Sequence, residues 1–192
     1  MNYTPKGVKN MKILLINTVK HFIVITHHKW VVFKLCIKAG IPWRGLVHDL
    51  SKYSMTEFAN SVKYFNQGKK SPIQREKQDR GYSKAWLHHK GRNKHHPEYW
   101  YDNNSPERLP IMPFKYACEM ICDQLAAGIV YQGKSWTREY QLNYWKKVRE
   151  DFLLNEKLKK FEDIILEQVA NSGIDKVVTK ENLRMCYEES IK

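Results

Sequence analysis

"MPFKYACEMICDQLAAGIVY", residues 112–131, decides the fold. Pro113 suits the first turn of a helix, where its missing N–H costs nothing. Phe114, Cys118, Ile121 and Leu125 mark one apolar face at helical spacing. Tyr116, Met120, Ala127 and Val130 share the face that bears Asp123. A helix that is apolar almost all round is a buried one. The segment is therefore expected to run through the centre of a helical protein, to about Tyr131. Glu119 and Asp123 lie four residues apart on one face. Buried carboxylates need a cation or hydrogen-bond donors, because unpaired burial costs several kcal/mol or neutralises the group. The residues leave two solutions open, a metal ion or a salt bridge to one of the many Lys and Arg side chains.

Outward from this segment the chain reads as helix. Residues 11–39 place Ile13, Ile16 and Phe22, then Val31, Val32 and Leu35, at helical spacing, with a bend admissible at "THH". The segment "MKILLINTVKHFIVI" has Lys20 and His21 inside its apolar run and no small-residue cleavage site after it, so it is expected to be a core helix rather than a signal peptide. It is too short and too polar to span a bilayer. Gly40 stops this run, and Pro42 opens a helix ending near Ser51. "SMTE", residues 54–57, is a capping box that opens a helix to about Asn66, and "QGKKSP" is a loop. Ser83 caps a helix carrying "KAWLHHKGRNKHH", interruptible at Gly91. "YDNNSPERLPIMP" is an irregular connection. Thr137 caps a further helix, residues 155–170 form an amphipathic one closed by "NSG", and a short helix follows Thr179. "DKVV" is a weak strand candidate. The expected fold is all-α and forms a single domain: a helical core over residues 1–136, with a C-terminal helical extension, 137–192, packing on it.

Charge is unevenly spread. The net charge is +13, yet residues 1–100 hold 19 Lys/Arg against 5 Asp/Glu, and residues 101–192 hold 14 against 15. A basic field concentrates anions, so an anionic substrate or nucleic acid is the expected partner. Cys36, Cys118, Cys122 and Cys186 form no CxxC pair, and Cys118 and Cys122 sit in the apolar helix. They read as reduced core thiols, which favours a reducing, cytoplasmic setting.

All eight histidines lie in the basic half. His21 stands apart. The others group as "THHKW" (His27, His28), "HDLSK" (His48, with Asp49 and Lys52) and "LHHKGRNKHH" (His88, His89, His95, His96). Residues 88 and 95, and 89 and 96, would each share a helix face if the helix continued through Gly91. His21 and His27 read as packing or surface residues. Imidazole with carboxylate suits zinc, iron, manganese, nickel or cobalt. The absence of cysteine from these groups argues against a structural zinc site.

The order His … His-Asp … His/His … Asp on a helical scaffold resembles the HD-domain metal-dependent phosphohydrolase superfamily. More closely, "HKWVVFKLCIKAGIPWRGLVHDLSKYSMTEF", "GYSKAWLHHKGRNKHHPEYW" and "MPFKYACEMICDQLAAG" look like a small family of uncharacterised bacterial and phage proteins with an HD-like pattern. The resemblance covers roughly residues 25–135 and implies an HD-domain-like helical bundle. It implies that His28, His48, Asp49 and Asp123 hold one divalent metal ion. His28 is preferred over His27 because the "HKW" string carries the match. Asp49 would bridge to a second ion held by His89 and the pair His95/His96. "HDLSK" also resembles the "HDxxK" of cyclic-dinucleotide phosphodiesterases, where the lysine contacts phosphate, although the "GYP" signature of that branch is absent.

The implied activity is hydrolysis of a phosphoester, nucleotide-like or another small phosphorylated molecule, by metal-activated water. Asp49 and Lys52 are the expected catalytic pair. Lys52, Lys90, Arg92 and Lys94 are the expected phosphate contacts. The alternative is a basic nucleic-acid-binding protein with a structural or vestigial metal site.

Overall fold

The computed structural model describes residues 6–65 and 71–192, with side chains from residue 11 onward. Among these residues the regular structure is all helical, with ten α-helices and no strand: α1 (Lys6–Lys38), α2 (Pro42–Val47), α3 (Met55–Tyr64), α4 (Pro72–Arg80), α5 (Lys84–Lys90), α6 (Phe114–Gln132), α7 (Tyr140–Val148), α8 (Glu156–Ser172), α9 (Ile174–Val177) and α10 (Lys180–Ile191). No helix among them is long and apolar enough to cross a membrane. The chain gathers into two units. One takes Met1–His27 with Asp49–Arg92, the other His28–His48 with Asn93–Lys192.

The second unit holds the larger core. Val32, Leu35 and Cys36 of α1 pack with Cys118, Ile121, Cys122 and Leu125 of α6, Trp145 of α7, Phe161, Ile165 and Val169 of α8, and Leu183 and Tyr187 of α10. The four thiols are buried and unbridged. Asn155 caps α8 by accepting from the Lys157 N–H at 3.0 Å, and its own amide donates to the Leu109 carbonyl at 2.7 Å. That second bond ties the irregular connection before α6 to the helix that follows α7. Trp145 Nε1 donates to Asp163 at 2.6 Å, and Arg149 grips the same carboxylate. Gly45 of α2 lies against α1, where a Cβ would come within 2.9 Å of the Phe33 backbone.

In the first unit α3 packs on α4 and α5. The buried Glu76 of α4 accepts from the Ser83 hydroxyl at 2.6 Å and from the Ala85 N–H at 3.3 Å, so α4 fixes the start of α5. Ser83 in turn caps α5 by accepting from the Trp86 N–H. His21 is buried between the rings of Phe58 and Phe65. Burial, then the Lys52 charge, pushes its imidazole down to about 4. It is a packing residue, whereas His27 is exposed.

Several sequence expectations are corrected. α1 runs unbroken through "THH". Its amino-terminal part is not a core helix. Met11, Leu15, Val19 and Phe22 are about half exposed or more, because neighbouring helices cover only the face bearing His21 and Ile25. α2 ends at Val47, so His48 and Asp49 lie on a break: His48 is extended, Asp49 is left-handed with φ 51°, and a 3₁₀ turn over Leu50–Tyr53 follows. Residues 72–80, which carry no apolar periodicity, form α4. The helix opened by Ser83 stops at Lys90 with Gly91 as its cap, so the face shared by residues seven apart does not exist. α7 starts three residues after Thr137, whose carbonyl accepts from the Tyr140 N–H. "DKVV" lies in α9 and the residue after it. The expected end of the third helix at Asn66, and most of the "QGKKSP" loop, fall outside the described residues.

Candidate metal centre

In the second unit, α6 presents Glu119 and Asp123 to histidines from three other places in the sequence. His28 comes from α1, His48 from the end of α2, and His95 from the turn before a short 3₁₀ segment over Pro97–Tyr99. The Nε2 atoms of His28, His48 and His95 stand 2.8, 3.4 and 3.6 Å from the Asp123 carboxylate. Candidate ligand atoms of His28, His48 and Asp123 lie within 4.8 Å of one another. The same holds for His48, His95 and Glu119.

Glu119 explains the orientation of two of these rings. His48 Nδ1 and His95 Nδ1 both approach its Oε1, at 3.1 and 3.3 Å, while Arg44 Nε donates to Oε2 at 2.7 Å. Burial pushes the Glu119 carboxyl up. The hydrogen bonds from His48, His95 and Arg44 outweigh burial and bring it down to about 2. An ionised carboxylate only accepts, so the His48 Nδ1 hydrogen-bonded to it carries the proton. The Nε2 atom of His48 then faces Asp123, as does that of His95. A neutral His48 ring would aim a lone pair at an anion. Doubly protonated rings would set two like charges side by side, with ring centroids 4.6 Å apart and both residues buried. A divalent cation between the Nε2 atoms and Asp123 removes both conflicts. The arrangement of carboxylate, Nδ1–H and outward Nε2 is the one that fixes the tautomer of metal-binding histidines. Burial raises the Asp123 carboxyl too, but the bond with His28 and the nearness of His48 hold it well below the ordinary range.

The first unit repeats the pattern. Glu57 of α3 accepts from Nδ1 of His88 at 2.6 Å and from Nδ1 of His89 at 2.8 Å. Burial works against its charge, and His89, His88 and Ser51 outweigh it, so the carboxyl sits below its ordinary value. His89 Nε2 points at Asp49 Oδ1, 3.4 Å away, and Lys52 Nζ pairs with Asp49 Oδ2 at 2.6 Å. Asp49 in the left-handed region is a non-glycine outlier, and such strain clusters at functional sites.

The structure thus brings His28, His48, His95 and Asp123 together in one unit, and Asp49, Lys52 and His89 together in the other. The His96 ring lies tilted against that of His95, with centroids 4.2 Å apart. Lys94 directs its ammonium over the rings of Tyr99 and Tyr116. Lys90 is half-buried and Arg92 exposed. The sequence reading missed Glu57 and Arg44, and it left Glu119 between a metal and a salt bridge. Glu119 in fact holds Arg44 and two histidines at once.

These features define an all-α protein with buried imidazole–carboxylate groups able to hold a metal ion. The chain belongs to the DUF5662 family, a family of unknown function, whose model matches residues 17–171. No curated protein and no solved structure matches it.

Proposed function

We propose that this protein is a metal-dependent phosphohydrolase of the HD-like kind, acting on a small phosphorylated, nucleotide-like substrate. The observation that carries the metal site is the convergence of the Nε2 atoms of His28, His48 and His95 on Asp123, with His48 held at Nδ1 by Glu119. His28, His48, His95 and Asp123 are the ligands this geometry favours. Manganese, iron, zinc, nickel and cobalt all suit such a nitrogen–oxygen set. The resemblance adds Asp49 as a bridging ligand, and it gives His89 and the pair His95/His96 to a second ion. A bound divalent metal would supply Lewis acidity and lower the pKa of water toward about 7. The chain's own part is positional: Glu119 and Glu57 fix the imidazole tautomers, and Asp49 holds Lys52. An ammonium has three protons to donate, so Lys52 can keep Asp49 and still reach a phosphate oxygen. Lys90 and Arg92 serve the remaining phosphate charge.

The test is metal-supplemented protein assayed against a phosphoester panel, with bis(4-nitrophenyl) phosphate as the first probe. Turnover that rises with added manganese and vanishes with chelator supports the proposal. Stoichiometric metal without turnover on any member of the panel would assign the site a structural role.

Lys52→Ala separates a phosphate contact from a helix-end cation. It is expected to retain metal and to lose roughly 100-fold in kcat, the lower end of the effect of removing one oxyanion donor. Unchanged kcat with a lower melting temperature would reduce Lys52 to a charge at the end of its turn.

A further inference from the structure

A cavity of about 280 Å³ opens beside Asp123, between α6 and α7 of the second unit. Gln124, Ala127, Gly128 and Tyr131 line it from α6, and Tyr140, Gln141 and Tyr144 from α7. Asp123 belongs both to this wall and to the histidine cluster, so the cavity and the cluster are neighbours across one carboxylate. No Lys or Arg among the described residues lines the cavity. It therefore lacks the cations that a phosphate group needs. Three phenol rings and the Gln141 carboxamide suit instead a flat, neutral ring with hydrogen-bonding edges, while the Gln124 amide is drawn to Glu162. An amide offers a donor and an acceptor in one plane, the arrangement that reads the edge of a base.

The shape is built rather than incidental. A Cβ on Gly128 would come within 3.1 Å of Gln141 Oε1 and Trp136 Nε1 and 3.2 Å of Tyr140 Cδ1. Glycine thus lets α7 lie close on α6 at the cavity floor. Gln132 Nε2 donates to the Tyr140 hydroxyl at 2.9 Å and fixes that ring. Gln141 is buried, while Tyr131 and Tyr144 are exposed. The volume falls just under the usual 300–1,000 Å³ range for whole small-molecule sites, so the cavity takes a fragment, one ring system.

We infer that this cavity is a nucleobase subsite, which receives the base of a nucleoside monophosphate whose phosphate lies at the histidine–Asp123 cluster. The inference rests on the proposed function for the phosphate end alone. The base end stands on the cavity.

Saturation-transfer NMR on the full chain loaded with zinc tests it, with AMP, UMP, ribose 5-phosphate and phenyl phosphate as probes. The base protons of AMP or UMP should receive stronger saturation than the ribose protons, and the nucleotide should bind more tightly than ribose 5-phosphate. Tyr144→Ala, a change at an exposed ring, should weaken nucleotide binding about 10-fold, within the range of one lost base–aromatic stack. Ribose 5-phosphate binding should not change. Gly128→Ala is a second variant that should show the same selective loss. Equal affinity for AMP and ribose 5-phosphate, or no change in Tyr144→Ala, would overturn the inference. Phenyl phosphate matching AMP would also overturn it, in favour of a plain aryl site. If the protein holds no metal and hydrolyses no phosphoester, the proposed function fails. The base-proton result still decides the subsite.

Discussion

Glu119→Ala is expected to lose about 3–5 kcal/mol of stability and 10- to 100-fold in metal affinity. The stability loss follows from burial. Glu119 is fully buried and satisfies Arg44, His48 and His95 together. Its removal takes from the Arg44 guanidinium its counter-charge at that position and from the His48 Nδ1–H the carboxylate it donates to. The affinity loss has a separate cause: without Glu119 at Nδ1, the His48 ring can move its proton to Nε2, the atom turned toward Asp123. Urea unfolding of the metal-free protein reads the first effect, and metal titration reads the second. A paired Arg44→Leu, Glu119→Leu variant should recover part of the stability, because the uncompensated cation is gone. It should recover none of the metal affinity. Unchanged affinity in Glu119→Ala would make the residue structural alone.

Glu162→Gln is expected to stabilise the protein, and more so at high pH. Glu162 of α8 is fully buried beside Gln124. Burial raises its carboxyl from the ordinary 4.5 to about 8. The bond with Gln124 opposes the shift, Asp163 adds to it, and Arg149 opposes it. Below pH 4.5 the group is protonated whether the chain is folded or not, and it costs nothing. Between 4.5 and 8 the unfolded chain releases the proton and the folded chain keeps it, so stability falls as pH rises. At pH 7 the penalty is about 3 kcal/mol. A glutamine does not titrate, so the melting-temperature gap between variant and parent should widen from pH 5 to pH 8. Parallel curves would mean that Glu162 ionises normally.

The two long segments that dominate the second unit's core were legible because periodicity survives packing. The expected span from Pro113 to about Tyr131 differs from α6 by one residue at each end, and the 155–170 span lies within two residues of α8. Asp123 and His48, 75 positions apart in the chain, were expected to converge and lie 3.4 Å apart. Three kinds of information were not local. "SMTE" correctly placed Ser54 as a cap that accepts from the Glu57 N–H, but the Glu57 carboxylate is drawn away to His88 and His89, because α5 packs on α3. Arg44 looked like one charge among many until α2 was laid on α6. The helix-wheel argument for the histidine pairs failed at Gly91, and a turn rather than a helix delivers His95. α4 did carry a local signal, with Pro72 at its start and Gly81 at its end. The charged run between them hid it.

Metal analysis of the purified, manganese-supplemented protein beside its Asp123→Ala variant tests the account most directly. Asp123 is the carboxylate on which the Nε2 atoms of His28, His48 and His95 converge. The account predicts stoichiometric divalent metal in the parent, and its loss in the variant with helical content retained. A parent without metal after supplementation, or a variant that keeps it, would contradict the claim that these residues form a metal centre.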